Sequence, residues 1–334
     1  MLMYNIQKRK GDINVRELII KKNDAGQRLD KFITKTLDLP ISLLYKSIRL
    51  KKIKVNRKRA EAGTVLLEGD TVQCFLADSF FEKQNDNSSL SKITPKISVI
   101  YEDENILLVD KRPGVSVHED EHGANNTLIS HIIAYLYQKG EYNPEEEQSF
   151  TPALCNRIDR NTGGIVIAAK NAEALRVMNE KIKMREIDKF YLAAIHGIPE
   201  KKSDTLTGYL LKDEKTNTVK VYTKNPPKSA KNIITKYTVI AKSDDKALIE
   251  VELLTGRTHQ IRAHMAYIGH PLVGDGKYGV NKSDREKGYK YQALYSYKLK
   301  FNFKSEEKTA LDYLNGKEFK IDKRDIYFTK EYFK

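Results

Sequence analysis

Asp159 stands between Arg157 and Arg160 in the stretch NRIDRNTGGIVIAAK, residues 156–170. A carboxylate flanked by cations has two uses. It is half of a structural ion pair, which at an exposed position contributes only about 0–1 kcal/mol, or it is the reactive group of an enzyme, kept ionised as nucleophile or base. Its neighbours ask for more than a surface pair. Thr162, Gly163 and Gly164 permit a tight turn or the close approach of a substrate. The apolar run 165–169 reads as a buried strand, the kind of rigid element on which reactive loops are mounted. On these residues alone both uses stay open.

Two histidine groupings raise the question of a metal. HEDEH, residues 118–122, fits the H-E-x-x-H pattern, whose chemistry needs both histidines on one face of a helix. Pro113, Gly114 and Gly123 bracket it, and little apolar periodicity supports a helix there. Glu119, Asp120 and Glu121 read more simply as a solvated acidic cluster. His259, His264 and His270 with Asp275 have no familiar ligand spacing. No metal is expected. Neither a G-x-G-x-x-G after a strand nor a G-x-x-x-x-G-K-[ST] occurs, so no nucleotide cofactor is expected either.

The elements that must hold these residues can be read from periodicity. Residues 97–111 read as strand, acidic turn and strand, 127–139 as an amphipathic helix, and 172–183 as a helix opened by Asn171. Residues 189–197 read as a strand ended by glycine, and 247–254 as a half-buried strand. Residues 259–269 read as a helix stopped by Gly269. Adjacent hairpins rule out simple βαβ alternation, so an α+β fold with a mixed, largely antiparallel sheet flanked by helices is expected.

A different chemistry occupies the N-terminal quarter. Of the net charge of +14, most comes from residues 1–77, where seventeen basic residues face eight acids. The sharpest run, KSIRLKKIKVNRKR at 46–59, has no acid at all. Leu29, Phe32, Ile33 and Leu37 recur at helical spacing, Pro40 interrupts, and Ser42 is a plausible cap for a second helix carrying Leu44 and Ile48. Residues 53–55 and 71–75 read as strands around a turn. Such a basic module suits phosphate contact. Residues 78–94 are polar and aperiodic and read as a linker, with the second domain at 95–334. The stretch from Arg28-Leu29-Asp30 to the IKVN hairpin and EGDTV resembles an S4 domain, a small RNA-binding module, over about residues 16–77. That resemblance implies RNA contacts from Arg28, Lys46, Arg49, Lys51, Lys52 and Lys54.

In the second domain, four ordered motifs resemble the RluA-type pseudouridine synthases. They are LLVDKRPGVSVH (107–118), NRIDRNTGGIVIAAK (156–170), KFYLAAIHG (189–197) and TGRTHQIRAHMAYIGHPLVGDGKYG (255–279). The usual signature is H-R-L-D-x-x-T-S-G-L, so Asn156 stands in the place of His and Gly163 in the place of Ser. ALYS at 293–296 replaces the common ALHA. The resemblance implies isomerisation of uridine to pseudouridine without cofactor. Asp159 would be the essential carboxylate, Arg262 the cation that keeps it ionised and can pair bidentately, and Tyr191 a ring to stack on the uracil, with a hydroxyl for the C5 proton. Asn156, Arg157, Arg160, Thr162, Lys111, Arg112, Arg257, His259 and Gln260 would contact the RNA. The expected substrate is large-subunit ribosomal RNA, with tRNA as the alternative. The rival class is a non-catalytic RNA-binding factor that keeps the fold.

The rest of the composition sets bounds. No apolar run approaches the roughly 18 residues of a membrane span, no signal peptide is evident, and Cys74 and Cys155 form no disulfide framework. A cytoplasmic monomer is expected.

Overall fold

The structure, a computed structural model, describes residues 5–7, 15–81, 88–118, 126–279, 281–304 and 307–333. Its backbone contacts gather Met1–Pro95, Ile132–Pro152 and Lys170–Glu173 into one unit, and Lys96–His131, Ala153–Ala169 and Ala174–Lys334 into another.

The first unit holds a five-stranded antiparallel sheet of β1 (Asn5–Gln7), β2 (Val15–Ile19), β3 (Ile53–Val55), β4 (Lys58–Arg59) and β5 (Thr71–Phe75), in the order β1-β2-β5-β3-β4. Helices α1 (Leu29–Thr36) and α2 (Ile41–Arg49) lie in sequence between β2 and β3. α1 buries Leu29, Phe32 and Ile33, one helical face, and leaves Lys31 and Lys35 in solvent. α2 starts one residue before the expected cap. Pro40 takes the cap position and no side chain caps the helix, so Ser42 lies inside its first turn. Proline suits a helix start because its missing N–H would have no helical partner there. Asn56 and Arg57 turn the β3–β4 hairpin at φ 51° and 63°, as a two-residue turn with both centres left-handed requires.

This unit takes in more chain than the segment 1–77. Asp24, fully buried, accepts from the Ser149 hydroxyl at 2.6 Å. Asn23 donates to Glu147 at 2.8 Å, and Gln27 to Ser149 at 2.7 Å. Within 78–94 the described residues form a 3-10 turn (Asp78–Phe81) and a short helix, α3 (Ser88–Lys92); residues 82–87 lie outside the described set.

The second unit is built on an eleven-stranded sheet. Its strands are β6 (Val99–Glu102), β7 (Ile106–Lys111), β8 (Ala153–Leu154), β9 (Gly163–Ala169), β10 (Ile187–His196), β11 (Ser203–Asp213), β12 (Thr218–Tyr222), β13 (Lys231–Ser243), β14 (Lys246–Leu253), β15 (Leu294–Phe301) and β16 (Glu318–Lys320). The order is β12-β11-β13-β14-β10-β15-β9-β7-β6, with β16 beside β15 and β8 beside β9. Every named pairing is antiparallel except β15 with β9. Helices α5 (Ala172–Lys183), α6 (Gln260–Tyr267) and α7 (Lys282–Glu286) belong largely to this unit, while most of α4 (Leu128–Gln138), from Ile132 on, is counted in the first. The expected mixed, largely antiparallel α+β architecture is present.

Burial explains the pattern. All seven residues of β9 are buried, as a strand covered on both faces demands, and its sequence is correspondingly a continuous apolar run. Ile106, Leu108, Ile165 and Ile167 pack with Ala174 and Met178 of α5 and with Leu299 and Phe301 of β15. At the other end, Ala263 of α6 packs on Leu210, Val219, Val221 and Ile233. Gly164 is left-handed at φ 114°, and a Cβ there would lie 2.6 Å from the Ser296 backbone, so only glycine allows the β9–β15 approach.

Candidate active site

Asp159 sits on the loop between β8 and β9. A turn closes that loop: Thr162 N–H donates to the Asp159 carbonyl at 3.0 Å. Asn156 fixes the start. Its amide oxygen accepts from Ile167 N–H at 2.7 Å and its nitrogen faces the Ile165 carbonyl at 3.4 Å, so the side chain pairs with β9 as a strand would. An amide serves here because it is both donor and acceptor. Thr162, buried, accepts from Gln292 at 3.1 Å.

The Asp159 carboxylate keeps a quarter of its surface exposed (26%) and accepts from Arg262 Nη1 at 2.9 Å. Arg262 is on α6 and is itself buried. Its fork does not go to Asp159. Nε and Nη2 donate instead to the two oxygens of Asp275 at 2.7 and 2.9 Å, and Asp275 is fully buried. Burial alone would raise the Asp275 carboxyl. The Arg262 fork, with the backbone N–H groups of Lys277 and Tyr278, outweighs it and holds that carboxyl below its ordinary value. The expectation of a bidentate Arg262–Asp159 pair is therefore corrected. The bidentate partner is Asp275, and the guanidinium so fixed offers one remaining N–H to Asp159.

His259 completes the charged group, in a left-handed conformation at φ 55° just before α6. Its Nε2 is 3.7 Å from Asp159 and its Nδ1 is 2.8 Å from the Tyr278 hydroxyl. That hydroxyl also accepts from Val219 N–H at 2.9 Å, which holds the tyrosine against the imidazole. Burial lowers the His259 pKa, with the Asp159 charge opposing, so the neutral form prevails at pH 7. Tyr278 also presents its ring to the Arg262 guanidinium, 5.3 Å away.

Tyr191, on β10, is buried at 6% exposure. Burial pushes its phenol up to about 12, helped by the nearby Asp159 charge, so it is neutral at physiological pH. Two residues away on the same face, Lys189 lines the same cleft, and no carboxylate of the described residues pairs with it. Burial lowers its pKa. The cleft encloses about 630 Å³ and is bordered by Asn156, Arg157, Asp159, Lys189, Tyr191, Arg257, His259 and Arg262. This is the size range of small-ligand sites.

Lys111 and Gln260 do not present themselves to a ligand. Lys111, only 1% exposed, spends its ammonium on three carbonyls, Arg112 at 3.1 Å, Val115 at 2.9 Å and Arg160 at 2.9 Å. It fastens the 112–115 turn to the Asp159 loop instead of holding a phosphate. Burial brings its pKa down to about 7 against the pull of Asp159 and Asp110. Gln260, also buried, accepts from Thr255 and Arg257 N–H and donates to Ile234 and Thr235, anchoring the start of α6. Arg112, Arg157, Arg160 and Arg257 are exposed around the loop, with Arg160 Nε on the Gly114 carbonyl at 3.2 Å.

The sequence reading missed Lys189 and weighed Asp275 only as a metal ligand. The signal for Lys189 was its position two residues before Tyr191 in a strand. The other histidines of that metal reading go to separate partners: His264 Nδ1 to Thr235 at 3.0 Å and His270 Nδ1 to the His196 carbonyl at 2.9 Å. Of HEDEH only His118 is described, at the cleft rim; residues 119–122 lie outside the described set.

In the first unit Lys46, Arg49, Lys51 and Lys52 are exposed and Lys54 is half-buried over the Phe75 ring. Arg28 is already engaged, its fork on Asp30 at 2.7 and 3.1 Å. Among the described residues no helix is long and apolar enough to cross a membrane.

The chain is similar to known proteins over most of its length. Residues 105–267 match the RNA pseudouridylate synthase family. An RNA pseudouridine synthase of Mycoplasma genitalium is 34% identical over 296 residues, 85% of this chain and 88% of the relative. The ribosomal large subunit pseudouridine synthase C of Vibrio parahaemolyticus is 31% identical over 275 residues, 80% of this chain and 82% of its own. Among solved structures, human RNA pseudouridylate synthase domain containing 1 shares the fold, with a TM-score of 0.55 at 22% identity over 72% of this chain and 89% of that one.

Proposed function

This chain belongs to the RluA-type RNA pseudouridine synthases, isomerases that act on RNA, and on that premise we propose that it isomerises specific uridines of large-subunit ribosomal RNA, using Asp159 and no cofactor. The ribosomal target is carried over from relatives such as the Vibrio enzyme, whose name specifies it. The observation that carries the residue assignment is the Asp159–Arg262 pair at 2.9 Å, inside a cleft large enough for a nucleoside.

The reaction breaks the N1–C1′ bond, turns the uracil and joins C5 to C1′; the C5 proton leaves and N1 gains one, so nothing is oxidised or reduced. A base in a helix cannot reach the cleft, so the uridine enters unpaired or flipped, at a cost of a few kcal/mol. Asp159 acts as the anion, whether on the sugar, on the base or on a C2′ proton. Arg262 orients it through one N–H without forming a closed pair, because two of its nitrogens are committed to Asp275. Tyr191 offers a ring to the uracil. Its phenol, pushed up to about 12 by burial, keeps its proton at neutral pH, so it serves as a hydrogen-bond donor rather than as a standing phenolate base. Lys189, Arg157 and Arg257 meet the phosphates beside the flipped nucleotide.

The N-terminal module serves as an S4-type RNA-binding domain, with Lys46, Arg49, Lys51, Lys52 and Lys54 as its phosphate contacts. The protein works as a monomer in the cytoplasm. The deciding experiment is tritium release from ribosomal RNA labelled at uracil C5, with no added metal or cofactor. Release by the wild type and none by Asp159→Ala supports the proposal. Release that survives Asp159→Ala removes the aspartate, and release from tRNA alone removes the ribosomal target.

A further inference from the structure

Gly163 has no conformational reason to be glycine, since it is absent from the residues with positive φ. Its reason is space. A Cβ there would lie 2.6 Å from Cδ2 and 3.1 Å from Cζ of Tyr295, the residue opposite it in the parallel β9–β15 ladder. Tyr295 is 7% exposed, and its hydroxyl donates to Asp110 Oδ1 at 2.6 Å. Asp110 is the penultimate residue of β7, and the last is Lys111, whose ammonium holds the Arg160 carbonyl one residue beyond Asp159. On its other side β15 pairs with β10, with Tyr295 opposite Leu192 and Ser296 opposite Tyr191. Tyr295 thus sits where three strands meet, those that carry Lys111, Gly163 and Tyr191.

We propose that Tyr295, Gly163 and Asp110 form one positioning device behind the Asp159 loop. The tyrosine ring takes the volume that a side chain at 163 would fill, and its hydroxyl fastens the end of β7 from which Lys111 grips the loop. The inference rests on the reading of Asp159 as the reacting carboxylate. It also makes one event of two departures from the family resemblance, Gly163 in place of Ser and Tyr295 in place of His. Burial raises the Asp110 carboxyl and the Tyr295 hydroxyl opposes that rise, so a phenylalanine of the same shape would take from this half-buried carboxylate the bond that ties it to β15. None of the three touches substrate; their effect reaches the chemistry through Lys111 and the loop.

The test is a double-mutant cycle read by tritium release, with kcat and KM for RNA separated. Gly163→Ala is expected to lower kcat by about tenfold with KM nearly unchanged, because the ring must move and the loop with it. In a Tyr295→Ala background the same substitution should change kcat by less than about twofold, since the ring is gone. Tyr295→Phe keeps the packing and should lower kcat by roughly fivefold at constant KM, through loss of the Asp110 bond. Equal effects of Gly163→Ala in both backgrounds overturn the steric coupling. Wild-type kcat in Tyr295→Phe overturns the tie to β7, and that variant decides alone if Gly163→Ala fails to fold. Asp159→Ala runs alongside. If it stays active, the reading of the carboxylate fails and this inference with it. If it is inactive while Gly163→Ala and Tyr295→Phe match the wild type, this inference alone fails.

Discussion

Two sets of cations, one in each unit, are held in opposite ways. In the first, Lys46, Arg49, Lys51 and Lys52 stand in solvent with no carboxylate paired to them among the described residues. In the second, Arg262 and Lys111 are buried, and their donors are spent on named oxygens: three nitrogens of Arg262 on Asp275 and Asp159, and the Lys111 ammonium on three carbonyls. The residue types are alike and the physics is not. Exposed cations act by number, are screened over a Debye length of about 8–10 Å, and tolerate replacement one at a time. Buried ones act by direction, and loss of one partner leaves a charge with no water to solvate it. One arrangement suits gathering RNA of any sequence, the other suits orienting one carboxylate.

This contrast can be broken at several points. The largest effect belongs to Asp159→Asn, which is isosteric and removes only the charge; kcat should fall by at least about 10³-fold while the RNA Kd stays within about threefold. A drop in affinity as large as the drop in kcat would mean that the aspartate holds the site together rather than reacts. Next is Asp275→Asn. Without its partner charge the Arg262 fork loses its anchor, so kcat should fall by about 10²-fold and stability by about 3 kcal/mol or more, measured by denaturant unfolding. Near-normal kcat there would show that Asp159 alone aims the arginine.

Neutralising Lys46, Arg49, Lys51 and Lys52 together to Gln tests the other side. RNA affinity should weaken by about tenfold or more, and the log–log salt slope should shrink by about three, with kcat at saturating RNA unchanged. An unchanged slope would remove these residues from the RNA contact. The smallest expected effect is on stability alone. His264 on α6 is held down to about 4 by burial. Between about pH 6.5 and 4 the unfolded chain takes up a proton that the folded one refuses, so stability should fall by roughly 3 kcal/mol as pH drops through that window and then level off. His264→Gln should flatten this limb in thermal melts across pH, and an unaltered limb would assign it to other groups.

The sequence made the central strands and the loop legible, and for a physical reason. β7 and β9 are covered on both faces, so their residues form apolar runs, and Gly164 marks a place where backbones meet. β11 and β13 escaped notice because they are half-exposed and alternate Thr and Lys with apolar residues. β15 also went unread. Asp159, Arg262 and Tyr191 were all picked out in the sequence, and they border one cleft in the structure. The destination of a charged side chain was not legible. Lys111 and Gln260 look like ligands for RNA in one dimension, and only the fold shows their polar atoms committed to carbonyls and loop amides.

The one parallel pairing among the described residues, Gly163 and Gly164 of β9 with Tyr295 and Ser296 of β15, has a consequence for synthesis. A chain emerging from the ribosome presents its Asp159 loop long before the strand that must lie beside it exists. Such distant partners are slow to find, because the loop-closure entropy comes before any reward. The strand carrying Tyr191 reaches the loop's strand only through β15, so the cleft cannot close around a uridine until residue 296 is free to dock. The topology thus ties completion of the cleft to synthesis of β15.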